Sequence, residues 1–403
     1  MTDTINIQIH HSETETLYPI SLIAMIRLLF CAVMVLTTLR SAADSGDANA
    51  AVIRVAISRN TTQFKLKTSG KVYALEIKTG QKYMLLERST YEVRYIDSTR
   101  LAVAGATLQS PVKLLAADGG DCVNLNGHFY KGDIYMKTTA DDKLEVIEHL
   151  SIEDYLYGVL PVEMSPDWPL EALKAQAVAS RTYALKNANP KKDYDITDGA
   201  DTQVYNGASG MNSRIIDAVR STRGEVLKYK EKLITAFFHA CCGGHTASAS
   251  SAWGEDVIKP LYGVRDPFCS DSIHSSWEYY ATARDLLSFI QKKGSSALKI
   301  KGVRISERDR SGRALKLKFA TDAGSFTAAA AELRKNFGTY DIKSTFITRI
   351  TPGSGGYEFY GRGWGHGVGM CQEGAKHMAL NGKNYKKILR QYYPGTSIGD
   401  VND

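Results

Sequence analysis

Three short segments carry side chains able to do chemistry in a setting too rich in Gly, Pro and Trp for a simple packed element. They are VEMSPDWP at 162–169, FFHACCGGHT at 237–246 and GRGWGHGVGMCQEGA at 361–375. In the first, Glu163 is a carboxyl flanked by Val162, Met164, Pro166 and Trp168. An acid/base carboxyl must be partly desolvated to stay neutral until it reacts, and those neighbours are the apolar wall that requires. Taken alone, Glu163 is better explained as a cap for the helix that follows, whose positive end would favour the ionised form. In the second segment, His239, Cys242 and His245 are ligand types for zinc, with Cys269 as a distant fourth. Structural zinc sites, however, usually join one close couple to a second close couple. A Cys242–Cys269 disulfide, or plain proximity to a cleft, fits better than zinc. A catalytic Cys–His pair lacks an identifiable Asn or Asp to orient it. In the third segment, glycines at 361, 363, 365, 367 and 369 alternate with Arg362, Trp364, His366 and Val368. Such alternation lets a backbone approach a ligand or another strand closely, and the phosphate-loop spacing is absent. A fourth stretch, DTQVYNG at 201–207, places Gln203 and Tyr205 on one face of an extended segment. A turn with a partly buried Tyr explains it as well.

The elements that must position these groups are legible in part. From about residue 50 to 150 the chain reads as strands: Ile53, Val55 and Ile57 alternate with Arg54, Ala56 and Ser58, and similar runs recur near 72–78 and 134–138. At Ser151 the character changes. Ser151 and Asp154 form a capping-box pattern that opens a short helix, and Asp167 and Pro169 mark the start of a second. That second helix carries Leu170, Leu173, Ala177 and Ala184 on one face, has small residues for close packing, and ends before Asn189-Pro190. A hairpin is expected across 310–312, a helix over 328–337, strands near 345–350 and 357–360, and a last helix over 385–392. The pattern is α+β rather than a regular βαβ alternation: a β-rich N-terminal part (44–150) packed on a mixed α/β core (151–398), the two forming either separate units or one.

The chain has 403 residues, 43% hydrophobic and 23% charged, with a net charge of +7. These values exclude a disordered chain, a collagen-like repeat and a membrane bundle. Residues 1–43 read as an upstream extension followed by a secretory leader: Arg27 precedes an apolar run from Leu28 to Leu39, closed by Ser41-Ala42-Ala43, with Met25 where such a leader should begin. The run is shorter than the roughly 20 residues of a transmembrane helix, so membrane contact is expected only if the leader stays uncleaved. An exported, basic protein suits an anionic polymer; nucleic acid is not expected, since no basic-aromatic motif is present. Cys31 falls in the leader, leaving Cys122, Cys241, Cys242, Cys269 and Cys371, an odd set in a disulfide-permissive setting.

The stretch YLYGVLPVEMSPDWPLEALKAQAVASRTYAL, followed in order by DTQVYNG, HACCGGHT and GRGWGHGVGMCQEGA, closely resembles the signature of the stage II sporulation protein D (SpoIID) / amidase-enhancer family. The resemblance covers roughly residues 50–395. It implies an exported peptidoglycan lytic transglycosylase acting on glycan strands stripped of stem peptides, or a non-catalytic peptidoglycan-binding enhancer of a cell-wall amidase. Neither needs a cofactor, and zinc is not favoured. Glu163 corresponds to the family's catalytic glutamate. A lytic transglycosylase needs only one carboxyl group, because the muramyl 6-hydroxyl is its own nucleophile, whereas ordinary glycosidases use two. Arg181 matches the arginine of the family's ARTYA-like segment and is a candidate to hold a muramyl carboxylate. It lies more than a dozen residues beyond Trp168, about 20 Å at 1.5 Å per helical residue, so a structural ion pair is an equal expectation. Gln203, Tyr205, Trp364 and His366 are further candidates to line a sugar cleft. Cys371 stands where a small residue is expected and reads as a buried spectator.

Overall fold

The structure, a computed structural model, describes residues 51–116, 123–199, 201–254 and 258–403. The expected leader and extension, with Cys31, and also Cys122, lie outside the described residues. Among the described residues no helix is long and apolar enough to cross a membrane.

Alternation of apolar and polar residues builds the N-terminal part, as expected. Val52–Thr61 buries Ile53, Val55 and Ala56 and pairs with Leu144–Ser151 in a seven-stranded sheet. The order across that sheet is 196–197, 52–61, 144–151, 133–138, 112–116, 72–76 and 82–85. A six-stranded sheet is built from Gln63–Thr68, Thr90–Asp97 and four shorter strands. Phe64, Leu66 and Val93 of the smaller sheet share one core with Ile53, Val112 and Ile134 of the larger. That same core continues into the helices through Tyr155, Leu173 and Ala177. The architecture is α+β, with its β-rich part at the N-terminal end.

Two helices hold the site. Helix α1 (Ile152–Glu163) is capped by the Ser151 hydroxyl, which accepts from the Asp154 N–H. It runs through Pro161 to Glu163, an end the sequence reading did not place. A proline in the last turn forfeits a single backbone bond, and the turn is closed beyond it by Met164 N donating to the Leu160 carbonyl at 2.9 Å. Helix α2 (Leu170–Asn187) begins at Pro169 without a side-chain cap. Asp167, expected to cap it, is exposed, and its own N–H reaches back to the Ser165 hydroxyl. Ala172, Ala175, Ala177 and Ala179 are fully buried. Their small side chains let α2 pass through the middle of the fold, in contact with α1, with α3 (Ser213–Arg220), and with two C-terminal helices, Gln372–Leu380 and Tyr385–Tyr392.

Between them the chain makes short α4 (Ala249–Trp253) and then a module over 277–361 with a core of its own. In it, α5 (Ala283–Lys292) and α6 (Ala330–Phe337) pack with the hairpin Ile300–Arg308/Ala314–Thr321 around Phe289, Leu317, Phe319 and Phe359. The hairpin, the helix and the strands near 347–353 and 356–361 fall where the sequence placed them; the separate core was not foreseen. The chain then passes through the glycine-rich segment into α7 (Gln372–Leu380) and α8 (Tyr385–Tyr392).

Candidate active site

Glu163 is the last residue of α1. The sequence reading put it ahead of a helix N-terminus, where the dipole would favour the carboxylate. Because α1 continues through Pro161, it instead meets the negative end of α1, which opposes ionisation. Burial pushes its carboxyl up to about 7, against the opposing pull of a hydrogen bond from the Gln372 side chain and another from the Val204 backbone N–H. None of these partners is a cation. The loop after Glu163 is pinned by Arg214, which donates to the carbonyls of Pro166 and Trp168 at 2.8 and 2.7 Å, and by Lys376 over the Trp168 ring at 4.7 Å. Gln372 is itself set by α7, whose N-cap is Cys371, and its amide reaches Gln176 of α2 at 3.4 Å. Tyr155, one face of α1 earlier, is fully buried; its phenol is raised first by that burial and then by the nearby Glu163 charge.

A cleft of about 580 Å³ is lined by Tyr183, Asp201, Thr202, Phe237, Phe238, Trp253 and His366, with Glu163 outside that lining. Thr202 is two residues from Val204, whose N–H serves Glu163, and Tyr183 is close enough to Tyr155 to affect its ionisation. The far wall is aromatic. Phe237 meets Trp253 with ring centroids 4.5 Å apart, and Trp253 meets His366 at 5.0 Å. His366 is held neutral: burial lowers its pKa to about 4, its Nδ1 accepts from the Val368 N–H at 3.1 Å, and it donates to the Phe238 carbonyl. It offers a ring to the cleft, not a charge.

The other sequence candidates fall elsewhere. Arg181 is fully buried and donates to both carboxylate oxygens of Glu153, at 2.9 and 2.6 Å, and to the Glu225 carbonyl at 3.0 Å. The structural ion pair is the arrangement found, and the guanidinium is not available to a ligand in the cleft. Tyr205 is buried, stacks near Tyr155 at 5.1 Å, and donates to Glu148 at 2.7 Å. Gln203 is buried with its Oε1 accepting from Tyr155 at 3.2 Å, while its Nε2 has no partner within the protein. Trp364 packs against His274, Tyr340 and Lys343 of the inserted module, away from the cleft lining. His366 alone of these five lines the cleft.

The glycine-rich segment is not a regular strand but a chain with left-handed residues at 363, 365, 367 and 369. Gly369 shows why: a Cβ there would sit 1.9 Å from the Phe237 carbonyl oxygen. At Gly367 it would strike the Arg313 guanidinium at 2.4 Å.

The suggested zinc set is not assembled. His239 turns its Nδ1 to the Val368 carbonyl and His245 its Nδ1 to the Thr246 carbonyl, and neither joins Cys242. The expected Cys242–Cys269 bond is not formed either: the two sulfurs stand 3.4 Å apart as free thiols. The reason is that Cys241 and Cys371 crowd the same nest, so Cys371 is no spectator. Sequence reasoning missed Gln372, Tyr155, Tyr183, Phe237, Phe238 and Trp253. Gln372 lay inside a segment already singled out, but nothing in the spacing tied it to Glu163.

Comparison with known proteins agrees with this layout. The Stage II sporulation protein family model matches residues 140–229, which hold α1, α2 and Glu163, and a domain of unknown function (DUF8618) matches 270–369, the inserted module. An uncharacterized protein of Brachyspira hyodysenteriae is 35% identical over 88% of this chain and 95% of its own. The amidase enhancer of Bacillus subtilis is 33% identical over 60% of this chain, which spans 40% of that protein's length. Stage II sporulation protein D of Bacillus amyloliquefaciens is 28% identical over 64% of this chain and 76% of its own. The chain belongs to the stage II sporulation protein D / amidase-enhancer family.

Proposed function

We propose that this protein is an exported cell-wall enzyme, a lytic transglycosylase that cuts peptidoglycan glycan strands with Glu163 as its single acid/base. The observation that carries the reading is a carboxyl raised to about 7 and bound only by neutral donors, one of which, Val204, lies two residues from Thr202 in the lining of an aromatic cleft. Neutral Glu163 gives its proton to the glycosidic oxygen as the C1–O bond breaks. The muramyl 6-hydroxyl attacks C1 and passes its proton to the Glu163 carboxylate, which closes a 1,6-anhydro ring and restores the acid. Water takes no part, so no second carboxylate is needed. A pKa near the working pH suits a group that must both give and take a proton. Phe237, Trp253 and His366 offer faces on which sugar rings can lie.

The rival reading, a non-catalytic enhancer that binds peptidoglycan and stimulates an amidase, is favoured by the name of the Bacillus subtilis relative. One experiment separates the two. Intact and amidase-stripped peptidoglycan are digested with wild type and Glu163→Gln, and the muropeptides are read by mass spectrometry. Anhydromuramyl ends that appear with wild type and vanish with the variant support the enzyme. No such ends with either protein, together with faster release by an added amidase, would establish the enhancer.

A further inference from the structure

Cys241, Cys242, Cys269 and Cys371 come from three separated segments and meet beneath the glycine-rich loop, all buried. Cys269 and Cys371 interact with each other, and each interacts with both Cys241 and Cys242. Cys242 and Cys269 stand 3.4 Å apart at their sulfurs, Cys371 lies within 4.8 Å of both, and Cys241 joins the nest beside Cys269 and Cys371. The backbone is turned to serve sulfur. Cys242 N and Gly374 N both donate to the Cys371 Sγ, at 3.2 and 3.3 Å, and Gly244 N donates to the Cys242 Sγ at 3.4 Å. Gly243 and Gly244, directly after the cysteine pair, hold left-handed conformations that fold the chain back over its own thiols. N–H donors aimed at sulfur stabilise a thiolate over a thiol. A buried cation stands by: Arg313 of the inserted module donates to the Cys242 carbonyl at 2.7 Å and to the His245 carbonyl at 2.7 Å. Cys242, Cys269 and Cys371 lie with the Asp266 carboxylate inside a sphere where all donor atoms are within 4.8 Å of one another. Asp266 is held by the Tyr392 hydroxyl at 3.0 Å, as an outer partner of a metal ligand commonly is.

We propose that Cys241, Cys242, Cys269 and Cys371 form a structural tetrathiolate site for zinc. Four thiolates close the tetrahedral shell and leave no position for water or substrate, so the ion is a staple and not a catalyst. It ties the cysteine-pair loop, the turn at 267–269 and the N-cap of α7 at one point. Gln372, the donor to Glu163, is the residue next to Cys371. The donor set shares only Cys242 and Cys269 with the one read from the sequence, and it uses no histidine.

The test uses the full chain carrying Cys31→Ser and Cys122→Ser, so that only the four nest thiols are counted. It is purified under reducing conditions, reconstituted with zinc and freed of excess. Metal analysis is expected to give about one zinc per chain, with all four thiols slow to react until a chelator is added. Cobalt in place of zinc should give the intense tetrahedral thiolate spectrum. Cys269→Ser should lower zinc retention at least tenfold, and Cys241→Ser should do the same, while Asp266→Asn keeps the metal. If Cys269→Ser fails to fold, the cobalt spectrum of the unsubstituted nest decides alone. Zinc-free soluble protein whose four thiols react freely, or a mass lower by two disulfides, would overturn the site. Stoichiometric iron would overturn the choice of metal, and loss of zinc in Asp266→Asn but not in Cys241→Ser would overturn the donor set.

Discussion

The two ends of α1 each carry a glutamate drawn away from water, Glu153 fully and Glu163 in part, and the molecule treats them in opposite ways. At the first turn, Glu153 is answered by a full positive charge: Arg181 grips both its oxygens, and the Gly224 N–H adds a bond at 3.1 Å. At the last turn, Glu163 is half-buried and meets only an amide and a backbone N–H. A guanidinium fixes a carboxyl as an anion and makes it a beam between elements. Neutral donors leave the proton free to come and go. Same residue type, same helix, same core; the partner decides which glutamate is structure and which is available for chemistry.

The contrast can be broken from either end. Glu163→Gln keeps the shape and removes the exchangeable proton, so anhydromuramyl production should fall by roughly 10²–10⁴-fold, read by muropeptide mass spectrometry. Arg181→Met strands Glu153 in the core and should cost about 3–5 kcal/mol in urea unfolding; the added change Glu153→Met should restore much of that, because the charge left behind is then removed. The third effect concerns pH. The folded-state pKa of Glu163 is raised from 4.5 to about 7, so its contribution to stability is present below the unfolded value and lost as pH rises through about 7. Glu163→Gln should therefore unfold at the same denaturant concentration as wild type near pH 4, and be more stable near pH 8 by up to roughly 3 kcal/mol. For the same reason wild-type activity should decline as pH rises through about 7. The smallest effect sharpens the role of the amide. Gln372→Leu removes a bond that favours the carboxylate, worth about 1 kcal/mol, and should move the alkaline limb of the rate profile upward by less than about one unit. An unmoved limb would show that Gln372 does not tune the acid.

Much of this was legible in the sequence, and what was not has physical reasons. Strand alternation at 52–61, the Ser151 cap, the body of α2 and the last helix all follow local rules, and local rules suffice for them. The end of α1 was not legible, because the cost of a proline such as Pro161 depends on where in a helix it falls, and near the end it is small. With α1 reaching Glu163, the helix end that the carboxyl meets is the negative one. Asp167 has a capping residue's chemistry, but the chain leaves α1 in a path that turns it outward. Arg181 and Tyr205 share the composition of ligand-binding residues; only their tertiary partners, Glu153 and Glu148, show that their bonding capacity is already used. The nest of cysteines joins three segments far apart in the chain, and spacing says nothing about which thiols will meet. The glycine alternation announced close approach but not what approached: carbonyls, Arg313 and the sulfur-bearing loop.

The inserted module leaves the family core just after Cys269 and returns just before Cys371, two residues whose sulfurs lie within 4.8 Å of each other. Its entry and exit are thus fastened side by side before the module contributes anything. A segment grafted between such fixed posts can lengthen, shrink or be exchanged for another without reopening the framework that holds Gln372 and Glu163. It is a place where the fold can change what it presents without disturbing the surroundings of Glu163.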